Sequence, residues 1–539
     1  MNIITNKEEY LIELQDLCKL FDCYDDIKID CQEEQSDDVV THQISFEKGE
    51  IKKQYSFSYK IDKTLNELRE KSYKKRMVKN NLYKVLSAEL NKNLPWGSLT
   101  GVRPTKFARD LVEYGEMKEH LIAETLEKEY FVSKEKAKLV PMIIKNQKCI
   151  IRNDNLIDLY INIPICPTRC LYCSFISNEI SRVKDRIDEY LSCLIKEINA
   201  VKDIIKSKAY IVRNIYVGGG TPSVLTAKQL DLLLKNINFP VHEFTVECGR
   251  ADTITEEKLD ILKKHKVTRI SINPQTFCEA TLKRIGRKQK NSQIFDAYAS
   301  AIERGFVVNM DIIAGLPGEK LGIFKRTIKT LLELYPNNIT IHTLSVKNGA
   351  KLKDNKSMID DSDVTKMVDF AEKTMLENGY KPYYLYRQKN QMCGLENVGY
   401  FRDDDVCIFN IDSMEETNTV IGVGAGAMSK RIFNLERRIE REPNVKFIED
   451  YIQRIDEMIE KKREFYTSSF IWSIRPRILA FCSSVIVMPK ASRSSYCFLI
   501  LSAAVMSDTA SFALALTSSR VYLLFPASSF SFNAPSNSL

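Results

Sequence analysis

The chain has 539 residues, of which 44% are hydrophobic and 28% charged, and a formal net charge of +8. At about 150 residues per domain this length predicts roughly three or four domains. Lysine and arginine are interspersed with aspartate and glutamate, which argues against a nucleic-acid partner. Residues 1–22 are partly acidic and lack a signal-peptide apolar run, so we expect a cytoplasmic protein whose 14 cysteines are free thiols or metal ligands.

Residues 1–145 are predicted to form a separate N-terminal α/β domain. Residues 44–61 alternate in polarity like a strand pair, and residues 72–92 have the spacing of an amphipathic helix. Proline and glycine in residues 94–106 predict a structured loop. Three side chains of this loop are expected to make packing or domain contacts, with a ligand contact as the alternative: Trp96, Arg103 and Lys106.

Residues 146–345 repeat a short apolar run, a turn and an amphipathic helix. The six predicted strands are 159–164, 214–219, 243–248, 269–274, 307–315 and 338–344. The clearest helical stretches between them are 186–205, 226–237 and 256–265. Strands that alternate with helices predict an α/β fold with a parallel sheet, whose ligands collect at the carboxyl ends of the strands.

The last part of the chain divides into two segments of different composition. Residues 346–466 contain a glycine-rich stretch at 420–430 and a charged helical pattern at 444–465. Residues 467–539 are rich in serine, contain no glycine and show no lasting periodicity. Their apolar runs are too short to span a bilayer, so we expect an extension without an evolved fold, with a membrane-associated tail as the alternative.

Cys166, Cys170 and Cys173 follow the first predicted strand with the spacing C-x₃-C-x₂-C. A structural zinc site would normally need four ligands, which only distant residues such as His242 or His342 could complete. Three thiolates instead fit a [4Fe–4S] cluster with one open iron. That iron can chelate the amino and carboxylate groups of S-adenosylmethionine (SAM) for one-electron cleavage to a 5′-deoxyadenosyl radical.

Polar side chains and glycines follow the later strands and point to a shared SAM site. The glycines of residues 217–223 are expected to let the backbone approach a ligand and to expose N–H groups to it. Glu247 ends the third strand and is suited to hold a cationic amine or a ribose. Gln275 and Asp311 end the fourth and fifth strands, and Arg287 lies nearby in the chain.

The chain resembles the radical-SAM oxygen-independent coproporphyrinogen III oxidase family, most closely its HemZ-type coproporphyrinogen dehydrogenase branch. The motifs that carry the resemblance include YINIPICPTRCLYC (160–173), GGGTPS (218–223), VECGRADTIT (246–255), RISINPQTF (269–277), MDIIAGLPGE (310–319) and IHTLSVKNGAKL (341–352). The resemblance covers most of residues 1–466 and implies an incomplete (β/α)₆ TIM-like barrel followed by a lid-like domain.

The resemblance also implies a reaction and a set of site residues. The reaction is oxidative decarboxylation of coproporphyrinogen III propionates to vinyl groups, giving protoporphyrinogen IX, with an unidentified low-potential electron donor. The implied SAM contacts are Tyr160, Tyr172, Gly219, Gly220, Thr221, Glu247, Gln275, Arg287 and Asp311. The candidate cationic partners for the propionates are Arg284, Lys288, Arg387 and Lys389.

Some positions depart from the family pattern. Phe175 stands where the best-studied oxidases have a further cysteine, and Asn162 where histidine is frequent. The related haem-trafficking chaperones share the phenylalanine but carry an H-N-x-x-Y-W motif, whose His and Trp are absent from residues 396–401. Met428 replaces the histidine of their G-A-H segment. Two alternatives therefore stay open: a haem- or porphyrin-binding protein without turnover, and a radical-SAM enzyme with another substrate.

Overall fold

The structure is a computed structural model that describes most of the chain. The described residues are 2–23, 26–101, 103–175, 178–347, 349–355, 360–388, 391–434, 436, 438–467, 499–501, 512–517 and 520–524. Two compact units make up the chain, Met1–Thr467 and Ser468–Leu539. Within the described ranges, no helix combines the length and the apolar character needed to cross a membrane.

The N-terminal segment folds as a four-stranded sheet covered by helices. In chain order its elements are β1 (Asn2–Thr5), α1 (Leu11–Leu20), β2 (Ile27–Ser36), β3 (Val39–Lys48), β4 (Ile51–Lys60) and α2 (Glu67–Leu90). Alternate residues of β2 and β3 are buried, as expected for strands with one face against a core. The predicted strand pair is confirmed as the antiparallel β3–β4 hairpin. Helix α2 begins before residue 72 because the Asn66 side chain accepts a hydrogen bond from the Arg69 N–H and caps it.

Three further helices connect this segment to the rest of the unit. They are α3 (Pro104–Glu113), α4 (Ile122–Tyr130) and α5 (Lys134–Asn146). The predicted loop before them ends at Arg103, since Pro104 occupies the first position of α3, where its missing N–H costs nothing. Trp96 in this loop is buried and its Nε1–H donates to Glu396 Oε2 at 2.7 Å. The expectation of a packing role for Trp96 is therefore confirmed.

A buried ion cluster fastens α5 to the C-terminal part of the unit. Lys136 Nζ lies 2.7 Å from Glu396 Oε1, 2.8 Å from Glu372 Oε2 and 3.2 Å from Asp369 Oδ1. The side chain of Lys136 is 2% exposed and that of Glu396 is fully buried. Burial alone would lower the pKa of Lys136, but the carboxylates of Glu396 and Glu372 hold it above its usual value.

The central region is a parallel sheet with helices between successive strands. Its elements are β5 (Leu156–Ile163), β6 (Ile165–Cys166), β7 (Asn178–Glu179), α6 (Ile180–Val183), α7 (Ile187–Ser207), β8 (Ile211–Gly219), α8 (Ala227–Lys235), β9 (Glu243–Glu247), α9 (Glu256–Lys264), β10 (Arg269–Ser271), α10 (Glu279–Arg284), α11 (Asn291–Glu303), β11 (Val307–Ala314), α12 (Leu321–Leu334) and β12 (Asn338–Thr343). Strands β5, β8, β9, β10, β11 and β12 are neighbours in that order and all parallel. The α/β fold class and the incomplete (β/α)₆ barrel are therefore confirmed.

The C-terminal segment adds strands to both sides of this sheet. Its elements are α13 (Val364–Glu377), β13 (Lys381–Tyr386), β14 (Asn397–Phe401), α14 (Ile408–Glu415), β15 (Thr419–Val423), β16 (Met428–Phe433), β17 (Arg438–Pro443), α15 (Ile448–Gln453) and α16 (Ile455–Thr467). Strand β14 pairs antiparallel with β12, and β15 pairs parallel with β5, which gives one eleven-stranded sheet. The single helix predicted for 444–465 is two helices, because the backbone leaves the helical region at Arg454.

The second unit is described only in three short strands. They are β18 (Leu499–Leu501), β19 (Phe512–Thr517) and β20 (Arg520–Leu524), which pair antiparallel in sequence order. The expectation of an extension without a fold concerns mainly residues outside the described ones and stays a prediction. The domain boundaries near residues 145, 345 and 466 also stay predictions.

Candidate cluster and cofactor site

The three motif cysteines lie in the loop after β5 and line one cavity of about 380 Å³, the cysteine cavity. The loop is held in place by backbone bonds, with the Cys173 N–H donating to Cys170 O at 3.1 Å and the Leu171 N–H to Ile285 O at 3.0 Å. Burial raises the pKa of the Cys173 thiol to about 11. An electropositive metal group is what would favour the thiolate in such surroundings.

The arrangement of these thiols bears on the kind of metal group they fit. Among the described residues, no three His, Cys, Asp or Glu side chains are placed to hold a single metal ion. In a cubane cluster each thiolate binds a different iron, so its ligands stand farther apart than those of one zinc ion. Three cysteine thiols on the wall of one cavity fit an iron–sulfur cluster that keeps one iron open.

Most of the predicted SAM contacts line the same cavity. The structure brings together there Tyr172, Gly219, Gly220, Thr221, Glu247, Gln275, Arg287 and Asp311. Tyr160 is the exception, since it lines an adjoining cavity and stacks on Tyr216 and Phe409 with ring centroids 6.2 Å away in each case. Side chains from five barrel strands and the loops after them thus meet at the carboxyl edge of the sheet, as expected for this fold.

The glycine-rich turn after β8 has a different role from the one expected. The Gly220 N–H donates to Ile163 O and the Thr221 N–H to Ile165 O, both at 2.8 Å, so these amides are not free for a ligand. A Cβ on Gly220 would lie 2.5 Å from Ile165 O. The expectation of exposed N–H groups is therefore wrong for these two amides. The absence of side chains lets the turn pack against the cysteine loop, and Thr221 Oγ1 reaches Cys166 Sγ at 3.5 Å.

Two carboxyl groups in the cysteine cavity have opposite electrostatic surroundings. Burial raises the pKa of Glu247 to about 7, although Tyr216 donates its hydroxyl to Glu247 Oε1 at 2.6 Å. Burial would also raise the pKa of Asp311, but hydrogen bonds from His342 and Asn309 keep it below its usual value. Asp311 is therefore ionised across the neutral range, whereas Glu247 titrates within it.

Two predicted side chains leave buried polar atoms without partners in the described structure. Gln275 Oε1 and Arg287 Nε and Nη1 are buried and make no hydrogen bond there. The backbone of Gln275 is left-handed, with φ of 65°, which is costly for a residue other than glycine. Unpaired buried polar atoms on the wall of a cavity fit the polar groups of a ligand such as SAM.

The adjoining cavity, here the outer cavity, has a volume of about 960 Å³. It shares wall residues with the cysteine cavity, namely Ser174, Phe175, Gly219, Lys347, Tyr386, Gln388 and Met414. Phe175, in place of the further cysteine, is 67% exposed between the two spaces. None of the described lining residues of the outer cavity is acidic. Four cationic side chains line it: Arg103, Lys347, Arg387 and Lys430.

The cations sought from the sequence are only partly at the site. Arg387 lines the outer cavity, but its guanidinium donates to the backbone oxygens of Leu99 and Gly394. Arg284 donates to Pro317 O at 2.6 Å and lines neither cavity, and Lys288 is exposed elsewhere. Lys389 lies outside the described residues. Lys347 was missed, although it follows β12 and the rule that ligands collect at the carboxyl ends of strands could have found it. His342, named from the sequence only as a residue that could complete a zinc site, also lines the cysteine cavity, whereas His242 does not.

Comparison with known proteins identifies related sequences for most of the first unit. Residues 160–331 match the sequence model of the radical SAM superfamily. The oxygen-independent coproporphyrinogen-III oxidase-like protein HemZ of Bacillus subtilis (strain 168) is 37% identical over 454 residues, which is 81% of this chain and 89% of that protein.

Two further similarities are more partial. The heme chaperone HemW of Bacillus subtilis (strain 168) is 35% identical over 195 residues, which cover 35% of this chain and 50% of that protein. The solved structure of coproporphyrinogen III oxidase (HemN) from Escherichia coli aligns with a TM-score of 0.46 and 22% identity, over 60% of this chain and 73% of that one.

Proposed function

The chain belongs to the family of oxygen-independent coproporphyrinogen III oxidase-like radical SAM proteins, and from that premise we propose that it oxidatively decarboxylates coproporphyrinogen III. Each propionate side chain that reacts would lose CO₂, one hydrogen atom to the 5′-deoxyadenosyl radical and one electron to a separate one-electron acceptor, and would become a vinyl group. Two such reactions give protoporphyrinogen IX. The electrons that start the reaction would come from an unidentified low-potential donor in the cytoplasm.

The family's cofactors are a [4Fe–4S] cluster and SAM, which together supply one-electron cleavage that removes hydrogen from an unactivated carbon. Cys166, Cys170 and Cys173 are proposed to hold the cluster and to leave one iron open. Glu247 is proposed to accept the amino group of SAM, while Gln275 and Arg287 offer their unpaired polar atoms to its remaining polar groups. Asp311, Tyr172 and the Gly219–Thr221 turn complete the wall, and Tyr160 stands one layer outside it.

The observation that carries the substrate assignment is the charge of the outer cavity. Coproporphyrinogen III is a tetracarboxylate macrocycle, and its carboxylates need cationic partners when they leave water. Among its described lining residues, the outer cavity has four cations, no acidic side chain and apolar surface from Phe175, Phe409 and Met414. It also opens along shared residues to the cysteine cavity, where hydrogen removal would take place.

The similarity to HemW supports a second candidate, a porphyrin- or haem-binding protein without turnover. The residues that correspond to the chaperone motif do not favour it. Glu396, at the position of the histidine in the H-N-x-x-Y-W motif, is buried in the ion cluster with Lys136. Met428, at the position of the histidine in the G-A-H segment, lines the outer cavity. A thioether alone is a weaker haem ligand than an imidazole.

An anaerobic turnover assay tests the proposed function. The reconstituted protein is mixed with reductant, SAM and coproporphyrinogen III, and both protoporphyrinogen and 5′-deoxyadenosine are quantified. We expect both products to accumulate together. Accumulation of 5′-deoxyadenosine without decarboxylation would point to another substrate, and stoichiometric haem binding without SAM cleavage would favour the second candidate.

The affinity for SAM is expected to depend on pH through Glu247. Because burial raises the pKa of this carboxyl to about 7, Glu247 is mostly protonated below that pH and becomes a weaker hydrogen-bond acceptor for the amino group of SAM. Isothermal titration at about pH 6 should give about tenfold weaker binding than at about pH 8, as the ionised fraction falls by that factor. Asp311 stays ionised over this range and does not add to the change.

The variant Glu247→Gln provides the control for this pH dependence. Its amide does not titrate, so we expect weak binding of SAM at both pH values and no slope between them. A wild-type affinity that is as independent of pH as that of the variant would show that Glu247 does not hold the amino group of SAM.

A further inference from the structure

Three cations surround a single buried carboxylate where the N-terminal segment meets β16 and β17. Arg103 Nη1 lies 2.6 Å from Glu416 Oε1, and Arg441 Nη2 lies 3.3 Å from the same oxygen. Lys430 is directly opposite Arg441 in the antiparallel register of the two strands. The side chain of Glu416 is 4% exposed, so one buried carboxylate pairs with two guanidinium groups while a third positive group lies beside them.

Of these three cations, Lys430 has the least negative charge close to it. Within the described part of the chain, no carboxylate lies at ion-pair distance from its ammonium group. Burial and the neighbouring Arg103 and Arg441 lower the pKa of Lys430, and only Glu416 opposes them. Partly buried positive charge that exceeds its negative partners is unfavourable unless an anion joins it.

This excess charge faces the outer cavity. Arg103 and Lys430 both line that cavity, next to the apolar side chains of Val420 and Met428, whereas Arg441 does not line it. Neither Arg103 nor Lys430 lines the cysteine cavity, while Lys347 lines both spaces. The two residues therefore form a cationic wall on the part of the outer cavity that the cysteine loop does not share.

We propose that Arg103 and Lys430 form a carboxylate-binding subsite for a propionate of the substrate that does not react. The subsite rests on the proposed function for the identity of the macrocycle, but its chemistry requires only an organic carboxylate attached to an apolar body. A planar guanidinium can bind a carboxylate through two N–H groups, and the ammonium group adds a third donor. The N-terminal segment thereby contributes a specificity residue to a site built mainly by the barrel.

Binding of coproporphyrin III, the redox-stable oxidised form of the substrate, tests the subsite without turnover. The affinity is measured by fluorescence titration for the wild type, Lys430→Met and Arg103→Gln. We expect each variant to bind about tenfold more weakly, the factor typical of losing one charge-assisted contact. A porphyrin with only two carboxylates should bind all three proteins with a smaller difference, because it need not occupy this subsite.

The matched control is Arg441→Gln, which removes a cation from the same Glu416 but not from the cavity wall. We expect its affinity for coproporphyrin III to equal that of the wild type. Lys430→Met keeps the test valid if Arg103→Gln does not fold, since Lys430 makes no ion pair with any described residue that would hold the segments together. Unchanged affinity of Lys430→Met, or an equal loss in Arg441→Gln, would overturn the subsite.

The outcome is separable from that of the proposed function. If the wild type does not decarboxylate coproporphyrinogen III but both variants bind coproporphyrin III more weakly than the wild type, the reaction is refuted and the subsite is supported. Decarboxylation by the wild type together with undiminished binding in both variants would support the reaction and refute the subsite.

Discussion

Cys170→Ala is expected to abolish the brown absorbance of the reconstituted protein and all reductive cleavage of SAM. Cys170 stands in the middle of the C-x₃-C-x₂-C loop and shares the cavity wall with Cys166 and Cys173. With two thiolates left, a second iron of the cube loses its protein ligand and the cluster is no longer retained. The measurement is the visible absorbance near 400 nm after anaerobic reconstitution, together with iron content and 5′-deoxyadenosine formation.

Cys278→Ala is the matched control, because Cys278 is also a partly exposed free thiol but lies outside the wall of the cysteine cavity. It should reconstitute like the wild type. A Cys170→Ala protein with the spectrum and iron content of the wild type would remove the basis for the cluster assignment.

Lys136→Met is expected to lower the free energy of unfolding by about 3–5 kcal/mol, the range for breaking a buried ion pair from one side. The change leaves the fully buried Glu396 and the largely buried Glu372 without their cation. Since Glu396 also accepts the Trp96 Nε1–H, the loss should loosen the attachment of the N-terminal segment as well. Urea denaturation followed by far-UV circular dichroism measures the effect.

Lys128→Met in the neighbouring helix α4 is the comparison for this stability change. Lys128 pairs with Glu124 one turn away, and its side chain is 72% exposed. Water and salt screen such a pair, so the denaturation midpoint should stay that of the wild type. If both variants had the same midpoint, the buried cluster would not be what stabilises this junction.

The barrel could be predicted from the sequence because its signals are local. Apolar runs bounded by turns predicted β5 at 159–164 and β8 at 214–219, and the strands are Leu156–Ile163 and Ile211–Gly219. Parallel strands with crossover helices have essentially one handedness, so the order of elements also predicted which ends carry the site. The meeting of Glu247, Gln275 and Asp311 at one cavity follows from that rule.

The features that were missed depend on contacts between distant parts of the chain. The amides after β8 bond to the cysteine loop, which no pattern within residues 217–223 could indicate. Strand β14 pairs with β12, and β15 pairs with β5. The periodicity within each segment does not indicate which other strand it pairs with. Arg103 reaches the outer cavity because α3 docks beside α14, a contact that the loop sequence could not indicate, so a ligand contact was only the less favoured expectation for it.

Strand β17 is an edge strand of the eleven-stranded sheet, and no other described strand pairs with its outer side, so this edge would be a template for pairing with another molecule. Its sequence, RIEREP, places four charged side chains along the edge and ends with Pro443, which has no N–H to donate. A second chain that added a strand here would have to strip water from these charges and would meet a broken hydrogen-bond ladder. The composition of β17 therefore disfavours edge-to-edge pairing at this edge of the sheet.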